Sequence, residues 1–233
     1  MWIALFAVIG SSACGDLNET FYQDFRSSQA PLATIMEIPK GQGEHQVIRL
    51  EPQGLRIILA DKRSAFPLLG VSPRFHVHGD FEITMSYEIL KLDKPSAGYG
   101  VGVGLWVMTD TESVDAAFLS RSHRIAPGNV YVAGKGWWSA RERKYHTDQK
   151  TFPSQSKSGK LRLSRVGSVA HFSIAEGPGN DFREIAQFEY NGEDLSQIHV
   201  GVNTGDAAES IDVRLIDLRI RAEELPLGTS RKR

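Results

Sequence analysis

A single cysteine, Cys14, stands among the 233 residues, which excludes an intramolecular disulfide and any cysteine-based metal cluster. An excess of charge is missing too. The 27 Lys and Arg offset 28 Asp and Glu for a net charge of −1, so nothing in the balance draws the chain to nucleic acid or to an anionic membrane. The basic end Arg231-Lys232-Arg233 is too short to alter that and reads as a solvated tail. No apolar run is long enough to span a bilayer as a helix. Nucleophile elbows of the G-x-S-x-G type, P-loops, H-E-x-x-H helices and dinucleotide fingerprints are absent. What is present is ordinary for a globular domain: 41% hydrophobic and 24% charged residues, far from the composition of disorder. At this length a single β-sandwich domain buries a substantial core.

The first fourteen residues, Met1 to Cys14, form an apolar run followed by small residues, the pattern of a secretory signal's core and cleavage region. The expectation is export to the periplasm, the cell surface or the medium, with residues 1–18 as leader, 19–225 as one domain and 226–233 as a tail. Cys14 leaves two outcomes open, ordinary cleavage after Ala13 or lipid attachment to Cys14 after cleavage at the same bond. Ser11-Ser12-Ala13-Cys14 has the small residues of a bacterial lipobox but not its leucine, and the leader carries no Lys or Arg. A mis-assigned start, or a fragment cut from a longer protein, would account for the missing charge. Membrane contact is then expected only through a lipid anchor on Cys14.

The clearest fold signal runs from Gly79 to Asp110. Phe81, Ile83, Met85, Tyr87 and Ile89 share one face of a strand, and Glu82, Thr84, Ser86 and Glu88 share the other. After a polar turn containing Pro95, Tyr99, Val101, Val103, Leu105 and Val107 alternate with Gly100, Gly102, Gly104, Trp106 and Met108. A bare glycine face ending in tryptophan marks close approach of another backbone, strong curvature, or the floor of a groove. Further strands are expected at Phe21–Arg26, Gln46–Glu51, Leu55–Ala60, Leu69–His78, Val114–Ser120, Val130–Trp138, Arg141–His146, Lys160–Arg165, Val169–Ala175, Phe182–Tyr190, Ile198–Asn203 and Ser210–Arg221. Pro52-Gln53-Gly54 and Val166-Gly167-Ser168 read as hairpin turns. In the last strand the apolar phase slips between Leu215 and Ile216, which predicts a β-bulge. Ile38 to His45 and His146 to Gly159 read as surface loops, and the only expected helix is a turn near Asn191 to Ser196. The spacing predicts an all-β, two-sheet antiparallel β-sandwich.

Aromatic and polar residues concentrate between Trp106 and Tyr145. Trp106, Tyr131, Trp137, Trp138 and Tyr145, with Arg121 among them, are the candidate ligand-binding residues. Flat rings beside fixed donors suit sugars, whose C–H faces pack on the ring while their hydroxyls meet polar groups. The competing reading is that one of Trp137 and Trp138 is buried, since adjacent strand residues point to opposite faces. His76 and His78, with Asp80 nearby, have the spacing of an incomplete zinc or copper site and read as a surface pair. No cofactor is expected, with calcium left open; Asp24 and Asp217 could contribute only if the fold brought them together. Asp80, Glu82 and Glu88 share a strand's polar face and read as solvated carboxylates rather than a catalytic pair.

These residues carry a resemblance. Gly79-Asp80-Phe81-Glu82-Ile83, Gly100 to Trp106, Leu161 to Gly167 and Ile211 to Leu218, which together span most of residues 19–225, resemble the concanavalin-A-like lectin and glucanase superfamily of jelly-roll sandwiches. The chain is similar, more closely, to a domain of unknown function found in large exported or surface proteins of planctomycete bacteria. Laminarinase-type members of the superfamily carry a Glu-x-Asp-x-Glu strand, where this chain reads Glu82-Ile83-Thr84-Met85-Ser86. The resemblance therefore implies a non-catalytic jelly-roll module that binds carbohydrate or another cell-surface ligand. The alternatives are a glycan-active hydrolase with carboxylates paired elsewhere, or a purely structural unit.

Overall fold

The two-residue periodicity builds fifteen strands in the computed structural model, which describes residues 17–27, 36–37, 46–60, 69–109 and 115–227. They are β1 (Glu19–Asp24), β2 (Met36–Glu37), β3 (Gln46–Glu51), β4 (Gly54–Leu59) and β5 (Leu69–Pro73). The middle set is β6 (His78–Leu92), β7 (Val101–Thr109), β8 (Ala116–His123), β9 (Asn129–Ser139) and β10 (Lys144–Pro153). The chain continues through β11 (Ser158–Val166), β12 (Val169–Glu176), β13 (Arg183–Glu189), β14 (Leu195–Asn203) and β15 (Ile211–Glu224). An eight-stranded sheet runs β13-β12-β11-β6-β15-β4-β3 with β1 also paired to β15, and a seven-stranded sheet runs β10-β9-β8-β7-β14-β5-β2. All pairings are antiparallel, as the alternation predicted.

The core lies between the sheets. Phe81, Ile83, Met85 and Tyr87 of β6 join Val103, Leu105 and Val107 of β7 and Leu215, Leu218 and Ile220 of β15 in one buried cluster. Each such large side chain, fully buried, is worth roughly 1.5–3 kcal/mol. Both expected hairpins form. Glu51 pairs with Gly54 across Pro52-Gln53, and Val166 pairs with Val169 across Gly167-Ser168, where Gly167 takes a φ of 58° that a side chain would resist. Asp80 Oδ1 accepts the Gly167 N–H at 2.7 Å and pins that turn. The bulge in β15 also forms: Leu215 faces Tyr87 and Asp217 faces Ser86, leaving Ile216 between them. Ile211, Val213 and Leu215 on one side of it, and Leu218, Ile220 and Ala222 on the other, all reach the core.

Four expectations are corrected. The two consecutive strands of Gly79 to Asp110 do not pair with each other but face across the core, because β6 belongs to the eight-stranded sheet and β7 to the seven-stranded one. The stretch from His146 read as a loop is largely strand β10, which lacks apolar alternation because it is an exposed edge, almost every residue of it facing solvent. Leu69 to His78 divides into β5 and the start of β6 rather than forming one strand. Asn191 to Ser196 forms no helix; Asn191 to Asp194 is irregular, with the Glu193 N–H donating to Asn191 Oδ1 at 3.1 Å, and Leu195 and Ser196 open β14. The leader with Cys14, the loop Ile38 to His45, Val114 and the last six residues lie outside the described residues.

Candidate functional site

Register fixes which side chains share the outer face of the seven-stranded sheet. Val103, Leu105 and Val107 point into the core, so Gly102, Gly104, Trp106 and Met108 point outward. One row across this face reads His199, Trp106, Phe118, Gly134, Gln149. The adjacent row reads Gly70, Gly201, Gly104, Ser120, Val132, Thr151. Further along β9, Trp138 stands opposite Tyr145 of β10.

The rings on this face lie against glycines. A Cβ at Gly104 would stand 2.9 Å from Trp106 Cη2, one at Gly134 2.7 Å from Phe118 Cζ, and one at Gly136 2.3 Å from Tyr145 Oη. Each missing side chain leaves room for a ring atom to approach the backbone. Trp138 and Tyr145 are 40% and 45% exposed, while Trp106 is half-buried. Of the readings open for the glycine face, close approach is the one realised: a Cβ at Gly104 would also meet the Leu119 carbonyl oxygen at 2.7 Å.

Beside Trp106 sits His199, its ring centroid 5.9 Å away. His199 Nδ1 lies 3.3 Å from Ser72 Oγ, and its Nε2 is buried with no partner. Burial disfavours the charged imidazolium and holds its pKa down at about 4, so the ring is neutral near pH 7.

The predicted site residues divide by strand parity. Trp106, Trp138 and Tyr145 share the outer face. Tyr131 and Arg121, expected to touch ligand, point the other way: Tyr131 is fully buried with its Oη 3.4 Å from Tyr87 Oη. Arg121 is 3% exposed and donates to Ser122 O at 2.8 Å, Ser156 O at 3.1 Å and Asn129 Oδ1 at 3.2 Å. It holds loops together from inside. Trp137 shares their parity but lies near the sandwich's rim, stacked on His146 with centroids 5.4 Å apart. There it lines a cleft of about 430 Å³ with Asp115, Lys135, Gly136, Glu189 and Tyr190. The Asp115 carboxylate and burial both raise the pKa of Tyr145. Phe118, Gln149 and His199 belong to the face but were not singled out in the sequence; parity with Ser120 in the same strand was an available signal for Phe118, while Gln149 and His199 come to the face only through strand pairing.

The β6 carboxylates are on the other sheet and occupied. Glu82 pairs with Arg162 at 3.5 Å and Arg221 at 3.9 Å, and Glu88 with Arg214 at 2.5 Å. Asp24 and Asp217 do meet across β1 and β15, but Asp24 is bound by Arg26 at 2.8 Å and Asp217 accepts from Ser86 Oγ at 2.8 Å. His78 lies 3.6 Å from Asp194 Oδ2 and 3.7 Å from Glu224 Oε2. Among the described residues no group of three His, Cys, Asp or Glu side chains is arranged to hold a metal ion.

Comparison with known proteins adds a family and a fold. A family model described as "Protein of unknown function (DUF1583) C domain" matches residues 11–232. None of the curated proteins matches this sequence. Among solved structures, one from the human gut microbiota, described with endo-acting O-glycanases that initiate mucin breakdown, is similar at a TM-score of 0.63 and 10% identity, over 90% of this chain and 99% of the other. The β-glucanase of Bacillus licheniformis is similar at a TM-score of 0.56 and 10% identity, over 88% of this chain and 98% of the other. A β-1,3-glucanase of Mycobacterium marinum gives 0.57 and 9%, over 86% and 97%. At such identities the likeness establishes the concanavalin-A-like jelly roll and nothing about activity.

Proposed function

The chain belongs to the family of DUF1583 C domains, and from that premise and the outer face we propose that it is a non-catalytic module of an exported protein that binds carbohydrate on its seven-stranded sheet. The carrying observation is that Trp106, Phe118 and Tyr145 each have ring atoms against a glycine on one face of the sheet, with Trp138 and Tyr145 exposed opposite each other. Sugar rings stack on such side chains, and the exposed Gln149 and Thr151 in the same two rows supply hydroxyl partners. Trp106 and Trp138 are two strands apart across the sheet and four residues apart along it, a Cα separation of roughly 16 Å. That span suits an oligosaccharide better than a single ring. The glucanases that share the fold act on glycans by name, and the leader-like run from Met1 to Cys14 fits export.

The test is a glycan array with the wild type and Trp138→Ala. Binding by the wild type and about tenfold weaker binding by the variant is the expected result; no binding to any polysaccharide would leave a structural unit. A hydrolase reading has one observation in its favour, the carboxylates of Asp115 and Glu189 lining the cleft beside Trp137. Release of reducing ends that disappears in Asp115→Asn or Glu189→Gln would establish it.

A further inference from the structure

The arginines with buried or half-buried side chains differ in how their charge is met. Arg121 is satisfied as described above, and Arg165 donates to the carbonyls of Asn191, Glu193 and Gly79. Arg214 is flanked by Glu88 and Glu51. Arg165 and Arg214 leave only Nε unpaired, and carbonyls or carboxylates hold the rest.

Arg124 has no comparable environment. It follows β8 directly, with the parity of Ser122, Ser120 and Phe118, which places it on the outer face of the seven-stranded sheet. Its one side-chain partner is neutral: Nη2 donates to Gln149 Oε1 at 3.0 Å. Its Nε is buried and unpaired. Burial lowers its pKa and no carboxylate opposes the shift. A guanidinium does not shed its proton, so this half-buried side chain keeps its charge with a neutral partner.

The charge sits where a ligand would meet it. From the end of β8 the side chain reaches Gln149, whose backbone lies in the row of Phe118 and Trp106. Phe118 and Gln149 meet there: a Cβ at Gly134 would lie 2.7 Å from Phe118 Cζ and 2.8 Å from Gln149 Cβ. Among the described side chains in these rows none is a carboxylate. The face therefore carries a cation with spare donors on the same side of the sheet as the rings.

We propose that the ligand is an anionic glycan, one whose rings carry carboxylate or sulfate, and that Arg124 is the group that selects the anion. This rests on the carbohydrate-binding reading above. A planar guanidinium meets either oxyanion through paired N–H donors, replacing the water it has lost.

The experiment is affinity electrophoresis of the full chain in polygalacturonate, in its fully methyl-esterified form, in a sulfated galactan and in the desulfated galactan, with Arg124→Gln, Arg124→Lys and Trp138→Ala alongside. The wild type is expected to bind at least one charged polymer about tenfold or more tighter than its neutral counterpart, the factor a charge-assisted hydrogen bond supplies. The polymer that shows the preference identifies carboxylate or sulfate as the anion. Arg124→Gln should abolish the preference, Arg124→Lys should keep part of it, and Trp138→Ala should weaken charged and neutral forms alike. Equal binding of charged and neutral forms, or a preference unchanged in Arg124→Gln with an unaltered melting temperature, overturns the anion inference while leaving carbohydrate binding intact. Binding to none of these and to no neutral glycan on the array overturns the underlying reading instead.

Discussion

The phenol ring of Tyr145 rests on Gly136: a Cβ at that glycine would come within 2.3 Å of Tyr145 Oη and 2.6 Å of Cε1. All three of the nearest atoms belong to Tyr145, so Gly136→Ala lifts one ring and crowds little else. The variant is expected to unfold within about 1 kcal/mol of wild type while glycan binding falls several-fold. Gly104→Ala is the contrast, because its Cβ would strike the Leu119 carbonyl at 2.7 Å. Overpacking against backbone should cost it about 1–3 kcal/mol in a urea melt.

Arg121 supports the sandwich and not the ligand. Arg121→Met keeps the aliphatic volume but strands the acceptors of Ser122, Asn129 and Ser156. Stability is expected to fall by about 2–4 kcal/mol, with binding per folded molecule unchanged. A variant that keeps wild-type stability but no longer binds glycan would put Arg121 back in the site.

His199 makes stability acid-sensitive. Its folded-state pKa is about 4, below the unfolded value of about 6.5, so the unfolded chain binds the extra proton first. The contribution of neutral His199 is complete above pH 6.5 and is lost as pH falls toward 4, amounting to about 2 kcal/mol between pH 7 and pH 5. His199→Gln should flatten that part of the profile in chemical denaturation at the two pH values. Equal acid sensitivity in both proteins would show that His199 is not the source.

Ile216 is the extra residue that keeps β15 in phase. Deleting it removes the bulge between Leu215 and Asp217 and turns either the first or the second half of the strand's apolar set to solvent. The deletion is expected to lose cooperative unfolding, whereas Ile216→Thr, at a half-buried position, should cost about 1 kcal/mol or less.

Much of this was legible from alternation, and the failures share a cause. The slip after Leu215 exposed the bulge, and Gly167 announced its turn, because each is a local event. Alternation says which face a residue occupies, not which strand lies beside it, so it could not assign β6 and β7 to different sheets. The expected strand Arg141–His146 catches only the start of β10, and the rest reads as a loop because an edge with both faces wet needs no apolar pattern. Tyr131 and Arg121 could have been separated from Trp138 by counting: 131 and 137 are odd, 138 is even, and in one unbroken strand they cannot share a face. Arg121 follows Ala117 and Leu119 at the same parity, so its burial was announced by its neighbours. What no local pattern carries is the meeting of Arg124 with Gln149 across two further strands.

The position of β15 bears on how the molecule is made. It lies at the centre of the eight-stranded sheet, between β6 and β4, and also takes β1 so that Glu19 pairs with Ala222. Until that segment leaves the ribosome, β1, β4 and β6 wait with open edges, and the sheet cannot close from one end like a zipper. Synthesis therefore holds this domain in an adhesive intermediate until its final strand arrives, and a chain stopped before Ile211 would be a substrate for chaperones and proteases, not a weaker sandwich.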